Sequence, residues 1–98
     1  MIRGTTPTHT FILPFPASTI TEAYISYAQF GSVRIEKTLA DCTVRGSNLT
    51  LKLSQAETLR LSDKARTEIQ LAVRIDEEVY RSQIIEVETA RILKEAEI

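Results

Sequence analysis

Hydrophobic and polar residues alternate along Leu49-Thr-Leu-Lys-Leu53, which places Leu49, Leu51 and Leu53 on one face of a strand. The alternation stops at Ser54-Gln-Ala-Glu57, where serine and glutamate suit the reciprocal N-terminal cap of one short helical turn near residues 54–59. It resumes over Ile69, Leu71, Val73 and Ile75, so this part of the chain reads as strand, short crossing helix, strand.

The same period recurs upstream. Thr8 to Leu13 alternates and ends at Pro14 and Pro16, which suits an edge strand because proline cannot donate to a ladder. Ile20 to Phe30 is rich in β-branched and aromatic residues, with Ala23, Ile25 and Tyr27 on one face and Glu22, Tyr24 and Ser26 on the other. Gly31-Ser32 then predicts a turn in which glycine supplies a positive φ. Beyond it Val33, Ile35, Lys37 and Leu39 form an inner face opposite a solvent face of Arg34, Glu36 and Thr38. A short strand from Cys42 to Arg45, a turn at Gly46-Ser-Asn48 and a return over Leu49 to Leu53 follow.

The stretch 54–66 is too long for a tight hairpin and predicts a crossing between sheets. Thr67 to Ile75 is the strongest strand, Asp76-Glu-Glu78 an acidic turn, and Val79 to about Thr89 the strand that pairs back, with Ile85 and Val87 sharing a face. Seven short strands with a turn signal every 8–12 residues or so predict an all-β, immunoglobulin-like antiparallel sandwich. Residues 1–7 read as an extended arm, 8–93 as one domain and 94–98 as a tail; Ala90 to Ile98 suits either an extension of the last strand or a frayed helix. Leu49, Leu51, Leu53, Ile69, Leu71, Val73 and Ile75 are the expected core.

Composition narrows the function classes. With 98 residues, 43% of them hydrophobic and 26% charged, the chain suits one compact domain. Twelve Lys and Arg against thirteen Asp and Glu leave a net charge of −1, which gives no reason to expect nucleic acid or an anionic lipid surface as a partner. Cys42 is the only cysteine, so no internal disulfide forms. With no apolar leader segment and no run long enough for a membrane span, the expected location is the cytoplasm of the producing cell, with later incorporation into a virion. Asn48-Leu-Thr50 matches a glycosylation acceptor but reads as turn chemistry.

Candidate chemistry is sparse. His9, the sole histidine, has no second ligand or paired acid near it in sequence, and Cys42 has no nucleophile motif around it. Asp76-Glu77-Glu78 lacks the offsets and central glycine of a calcium loop and reads as a solvated hairpin tip. No metal, cofactor or catalytic residue is therefore expected. Tyr24 and Ile84, apolar on faces read as outward, together with Phe30, mark the expected interface if they join the arm in one patch.

Met1-Ile-Arg-Gly-Thr-Thr-Pro-Thr-His-Thr-Phe11, Leu13-Pro-Phe15, Tyr27-Ala-Gln29, Glu36-Lys-Thr38 and Leu53-Ser-Gln-Ala-Glu-Thr58 resemble the corresponding stretches of small prophage-encoded proteins of Gram-positive bacteria. The resemblance runs along most of the chain and carries no site residues. It implies a phage structural or assembly context, which suits a noncatalytic structural or protein-interaction module. The alternative is a small ligand- or carbohydrate-binding sandwich domain, for which three tyrosines and no tryptophan are thin material. Protein partners, and self-association in which residues 1–7 add to a neighbour's strand edge, complete the expectation.

Overall fold

The computed structural model describes all of residues 1–98. The strands are β1 (Thr8–Ile12), β2 (Glu22–Gln29), β3 (Ser32–Thr38), β4 (Cys42–Arg45), β5 (Asn48–Lys52), β6 (Thr67–Ile75), β7 (Glu78–Arg81) and β8 (Ile85–Val87), with one short helix, α1 (Gln55–Thr58). Three strands in the order β1-β5-β4 make one sheet; β3-β2-β6-β7, with β8 also on β6, make the other. Every strand pairing is antiparallel. The expected all-β sandwich is the fold.

Its core comes from the alternating faces. Leu49, Leu51 and Leu53 from the small sheet meet Ala23, Ile25, Tyr27, Ile69, Leu71 and Val73 from the large one in a single buried cluster. Ile75, the last expected core residue, is only half-buried, since it stands at the end of β6 beside the turn. Ser54 accepts a hydrogen bond from the Glu57 amide at 3.1 Å while the Glu57 carboxylate accepts from the Ser54 amide at 2.9 Å, so the capping box forms as its spacing predicts. The crossing from 59 to 66 is pinned by Gln29, buried at the end of β2: its amide donates to the carbonyl of Ser62 at 2.8 Å and accepts from the Ser62 amide at 2.7 Å. Buried Thr67 and Thr89 stand beside it, their hydroxyls 2.7 Å apart.

Four features depart from the sequence pattern, each for a local reason. A β-bulge in the β2–β3 ladder pairs Tyr27 with Ile35 but Ala28 with Val33; Arg34 becomes the extra residue and Val33 turns outward. Leu39 leaves the strand for a 3₁₀ turn over Leu39–Asp41, and its carbonyl accepts the Cys42 amide. The single strand expected from Val79 to Thr89 is two, which makes eight strands rather than seven. The Ser82 hydroxyl takes the Leu71 amide at 3.0 Å, and the register shifts from Val73↔Tyr80 to Ile69↔Ile85 across the break. The tail is neither strand nor helix. Instead Gln55 clamps the Ile98 backbone, donating to its carbonyl at 3.0 Å and accepting from its amide at 2.9 Å.

The arm is a strap on its own domain. Residue 2 bridges Ala90 in parallel, the Arg3 guanidinium donates to the Leu59 carbonyl at 3.1 Å and also to that of Leu61, and it pairs with Glu95. Gly4 makes the turn at φ +68°, a conformation that costs glycine little, and a Cβ there would stand 2.9 Å from Ile92 Cδ1. Thr58, buried in α1, donates to the Thr5 carbonyl at 2.8 Å. No helix is long and apolar enough to cross a membrane.

Candidate functional site

The residues with chemical potential converge first on the inner face of the small sheet. His9 and Cys42 both pair with Leu51, from opposite sides, so the sole histidine and sole cysteine share a row with a leucine between them. They do not bond each other. His9 Nδ1 lies 2.7 Å from the Tyr27 hydroxyl, and Cys42 Sγ lies 3.4 Å from the Thr38 carbonyl that it donates to. Burial lowers the His9 pKa, aided by the terminal ammonium, and holds the ring neutral. It likewise pushes the Tyr27 hydroxyl far up, with Cys42 and Glu57 adding to the effect, and raises the Cys42 thiol. Burial thus favours a neutral imidazole, a protonated phenol and a protonated thiol, each held in a hydrogen bond.

The acidic residues disperse. Asp76 and Glu77 form the tip of the β6–β7 hairpin and Glu78 begins β7, all three exposed, while Glu86 lies beyond the break, with its carboxylate 3.5 Å from Arg66. No three of the His, Cys, Asp and Glu side chains gather in metal-binding geometry.

Tyr24, Phe30 and Ile84 are all exposed, but they do not make one patch. Tyr24 stands mid-strand on the outer face of the large sheet. Phe30 sits six residues further along, about 20 Å away at the strand rise, in the two-residue turn with Gly31. It has φ 54° there and the Arg34 guanidinium 5.8 Å above its ring. Ile84 lies in the break between β7 and β8, and the arm packs elsewhere.

What the fold does assemble is an open flank. Three strands face a wider sheet, so no strand lies opposite β7 and β8, and the inner-facing Tyr80 and Ile85 remain 49% and 52% exposed. Between them and the β1 edge runs a groove of about 490 Å³ lined by Phe11, Leu13, Phe15, Leu71, Tyr80 and Ile85 among others. Phe15 and Tyr80 meet across its mouth with ring centroids 5.7 Å apart.

The groove's other wall is a strand edge with unused hydrogen bonds. Leu13 donates to the Ser47 carbonyl and Leu53 to that of Pro7, which fixes the phase of the antiparallel ladder: residues 7, 9, 11 and 13 turn their amides and carbonyls toward β5. Thr8, Thr10 and Ile12 turn theirs outward, and residues 8–12 make no backbone bond beyond the ladder with β5. Ile12 is 81% exposed at the end of this edge. The signal in the sequence was the run Phe11-Ile12-Leu13, which makes both faces of the strand's end apolar and so leaves one of them uncovered.

No family model, curated protein or solved structure matches the chain.

Proposed function

We propose that the chain is a noncatalytic structural module that works by protein–protein contact, in the particle of a phage or during its assembly. The observation that supports this reading is the open flank: an unpaired, uncharged strand edge beside an apolar groove is a surface built for a polypeptide. His9, Tyr27 and Cys42, the side chains best suited to catalysis, are bonded within the body of the sandwich. The resemblance to prophage-encoded proteins supplies the phage context, with synthesis in the cytoplasm before incorporation. The test is direct. Particles released after prophage induction, purified by density and digested for mass spectrometry, should contain this chain in multiple copies per particle, and its absence from both particles and assembly intermediates would overturn the reading.

The ligand-binding alternative is favoured by one observation, the Phe15–Tyr80 pair at the mouth of a groove whose size suits a small molecule. On that reading a panel of oligosaccharides and apolar ligands raises the melting temperature of the native chain and leaves that of a Tyr80→Ser variant unmoved.

A further inference from the structure

We propose that the open flank receives one extended segment of another protein, which adds to the β1 edge as a further strand of the small sheet. The segment turns two apolar side chains into the groove and sets an acidic residue beside Arg81. This rests on the interaction-module reading and names the chemistry of the partner.

The edge asks for a backbone. The free amides and carbonyls of Thr8, Thr10 and Ile12 recur every second residue, about 6.8 Å apart, a repeat that another strand matches and a small ring does not. The next residue in phase, Pro14, has no N–H, so the pairing ends there. The slot is also closed at both ends. Beyond Ile12 the Phe15 ring reaches across to Tyr80, and before Thr8 the arm crosses to the large sheet, where the Met1 carbonyl accepts the Ala90 amide at 2.8 Å. The edge left between them is about 17 Å long, the span of some five extended residues.

Alternation then assigns the side chains. An antiparallel segment centred on Thr10 places its first, third and fifth residues opposite Ile12, Thr10 and Thr8, pointing outward as these do. Its second and fourth residues lie opposite Phe11 and His9 and point inward, onto Tyr80 and Ile85, which have no strand facing them. An unpaired ion carried into that apolar groove would be costly, so both inward residues are apolar.

Charge and shape select the source. Arg81 is the one charged residue lining the groove; it is exposed and takes part in none of the ion pairs of the molecule. No acidic side chain lines the groove, so a carboxylate flanking the apolar run finds a free cation there and a lysine meets repulsion. A second folded copy does not fit. The inner face of its β1 is already packed on its own large sheet, His9 against Tyr27 and Phe11 against the core, and the two large sheets would overlap. Its other edge strands carry charges, and the arm and tail are committed to Ala90, Leu59 and Gln55.

The test is an amide nuclear-magnetic-resonance titration of the full chain with the capped peptide Asp-Thr-Leu-Thr-Leu-Thr-Asp, which reads the same in both directions. At up to about 1 mM peptide, a concentration that detects even weak binding, saturable shifts are expected at Thr8, Thr10, Ile12, Tyr80 and Ile85. Methylating the amide nitrogen of the central threonine should weaken binding about tenfold. Replacing both aspartates by lysine should weaken it two- to fivefold or so, and Arg81→Glu should reverse that preference. No saturable shift, equal binding of the methylated peptide, or shifts at Tyr80 and Ile85 without the edge amides, the mark of a small apolar ligand, would overturn the proposal. So would a native chain that is already a dimer with its edge amides protected. Failure here with the chain still found in phage particles would remove this proposal and leave the interaction-module reading standing. Peptide capture by a chain absent from particles would support this proposal and remove the phage context alone.

Discussion

The two flanks of the sandwich solve the same problem in opposite ways. On the side of β3 and β4 the chain itself closes the gap. The 3₁₀ turn at Leu39–Asp41 passes from one sheet to the other, the Thr38 amide donates to Asp41 at 2.9 Å, and Lys37 pairs with Glu57 at 2.5 Å. Both strands that border this side carry charges, which discourages further pairing. On the side of β1, β7 and β8 only the arm and the ring of Phe15 cross, and beyond them an uncharged edge and two inner-facing apolar residues meet solvent. The contrast teaches that edges of one sandwich can be protected by different means: the same molecule charges its other edges and leaves this one bare.

The largest expected effect tests what the flanks share. Leu51 is 2% exposed and lies between His9 of the open side and Cys42 of the closed side. Leu51→Ala should cost about 2–5 kcal/mol through lost transfer energy and the cavity left behind. Urea unfolding reads it, and a loss under about 1 kcal/mol would mean that the two flanks do not lean on one core.

Next in size is the closed flank's ion pair. Lys37→Met should cost about 1.5–3 kcal/mol, the range of hydrogen bonds to charged groups. Partial burial raises the Glu57 pKa, but hydrogen bonds from Lys37 and from the Ser54 amide outweigh it and hold the carboxyl below its ordinary value. The depressed folded value means that the unfolded chain takes up the proton first, so this stabilisation is complete above the unfolded pKa, about 4.3. It drains away as pH falls through the folded value. In Glu57→Gln the acid limb of melting temperature against pH should flatten, and an unchanged limb would place the acid sensitivity elsewhere.

The open flank has its own titration, at a different pH. Burial lowers the pKa of His9, so the unfolded state again binds the proton first. Stability should be full above about pH 7 and fall as pH drops through the unfolded value of about 6.5 toward the folded one. His9→Gln should remove that slope while leaving the Glu57 limb in place. Two separate limbs, each erased by its own substitution, would confirm that the flanks are electrostatically independent; one substitution erasing both would refute it.

What could be read in advance follows the range of the interactions. The period of two in β5 and β6 and the Ser54–Glu57 spacing are local, and both structures formed as expected. The bulge that turns Val33 outward depends on twist between β2 and β3, and the break at Ser82 on a side chain competing for the Leu71 amide; neither leaves a mark in hydrophobic periodicity. The docking of Arg3 on Leu59 and Leu61 joins segments nearly sixty residues apart, and Gln29 looked like an ordinary strand residue until the loop it pins was in place. The open flank is the least local of all. It exists because three strands face a wider sheet, a matter of pairing that no single strand records, and so Tyr24, Phe30 and Ile84 were conspicuous in the sequence while Phe15, Tyr80 and Ile85 were not.

The smallest expected effect is the sharpest probe of that difference. Ile12 is 81% exposed and lies on the unpaired edge, so in a single copy its side chain stabilises little beyond strand propensity. Ile12→Ser should change unfolding free energy by under about 0.5 kcal/mol. Val73 lies 4% exposed at the level of Tyr80 on the same side of the molecule, and truncating it to alanine should cost several times more. Urea unfolding curves for both variants decide it, and a loss at Ile12 as large as that at Val73 would show that the edge is not bare.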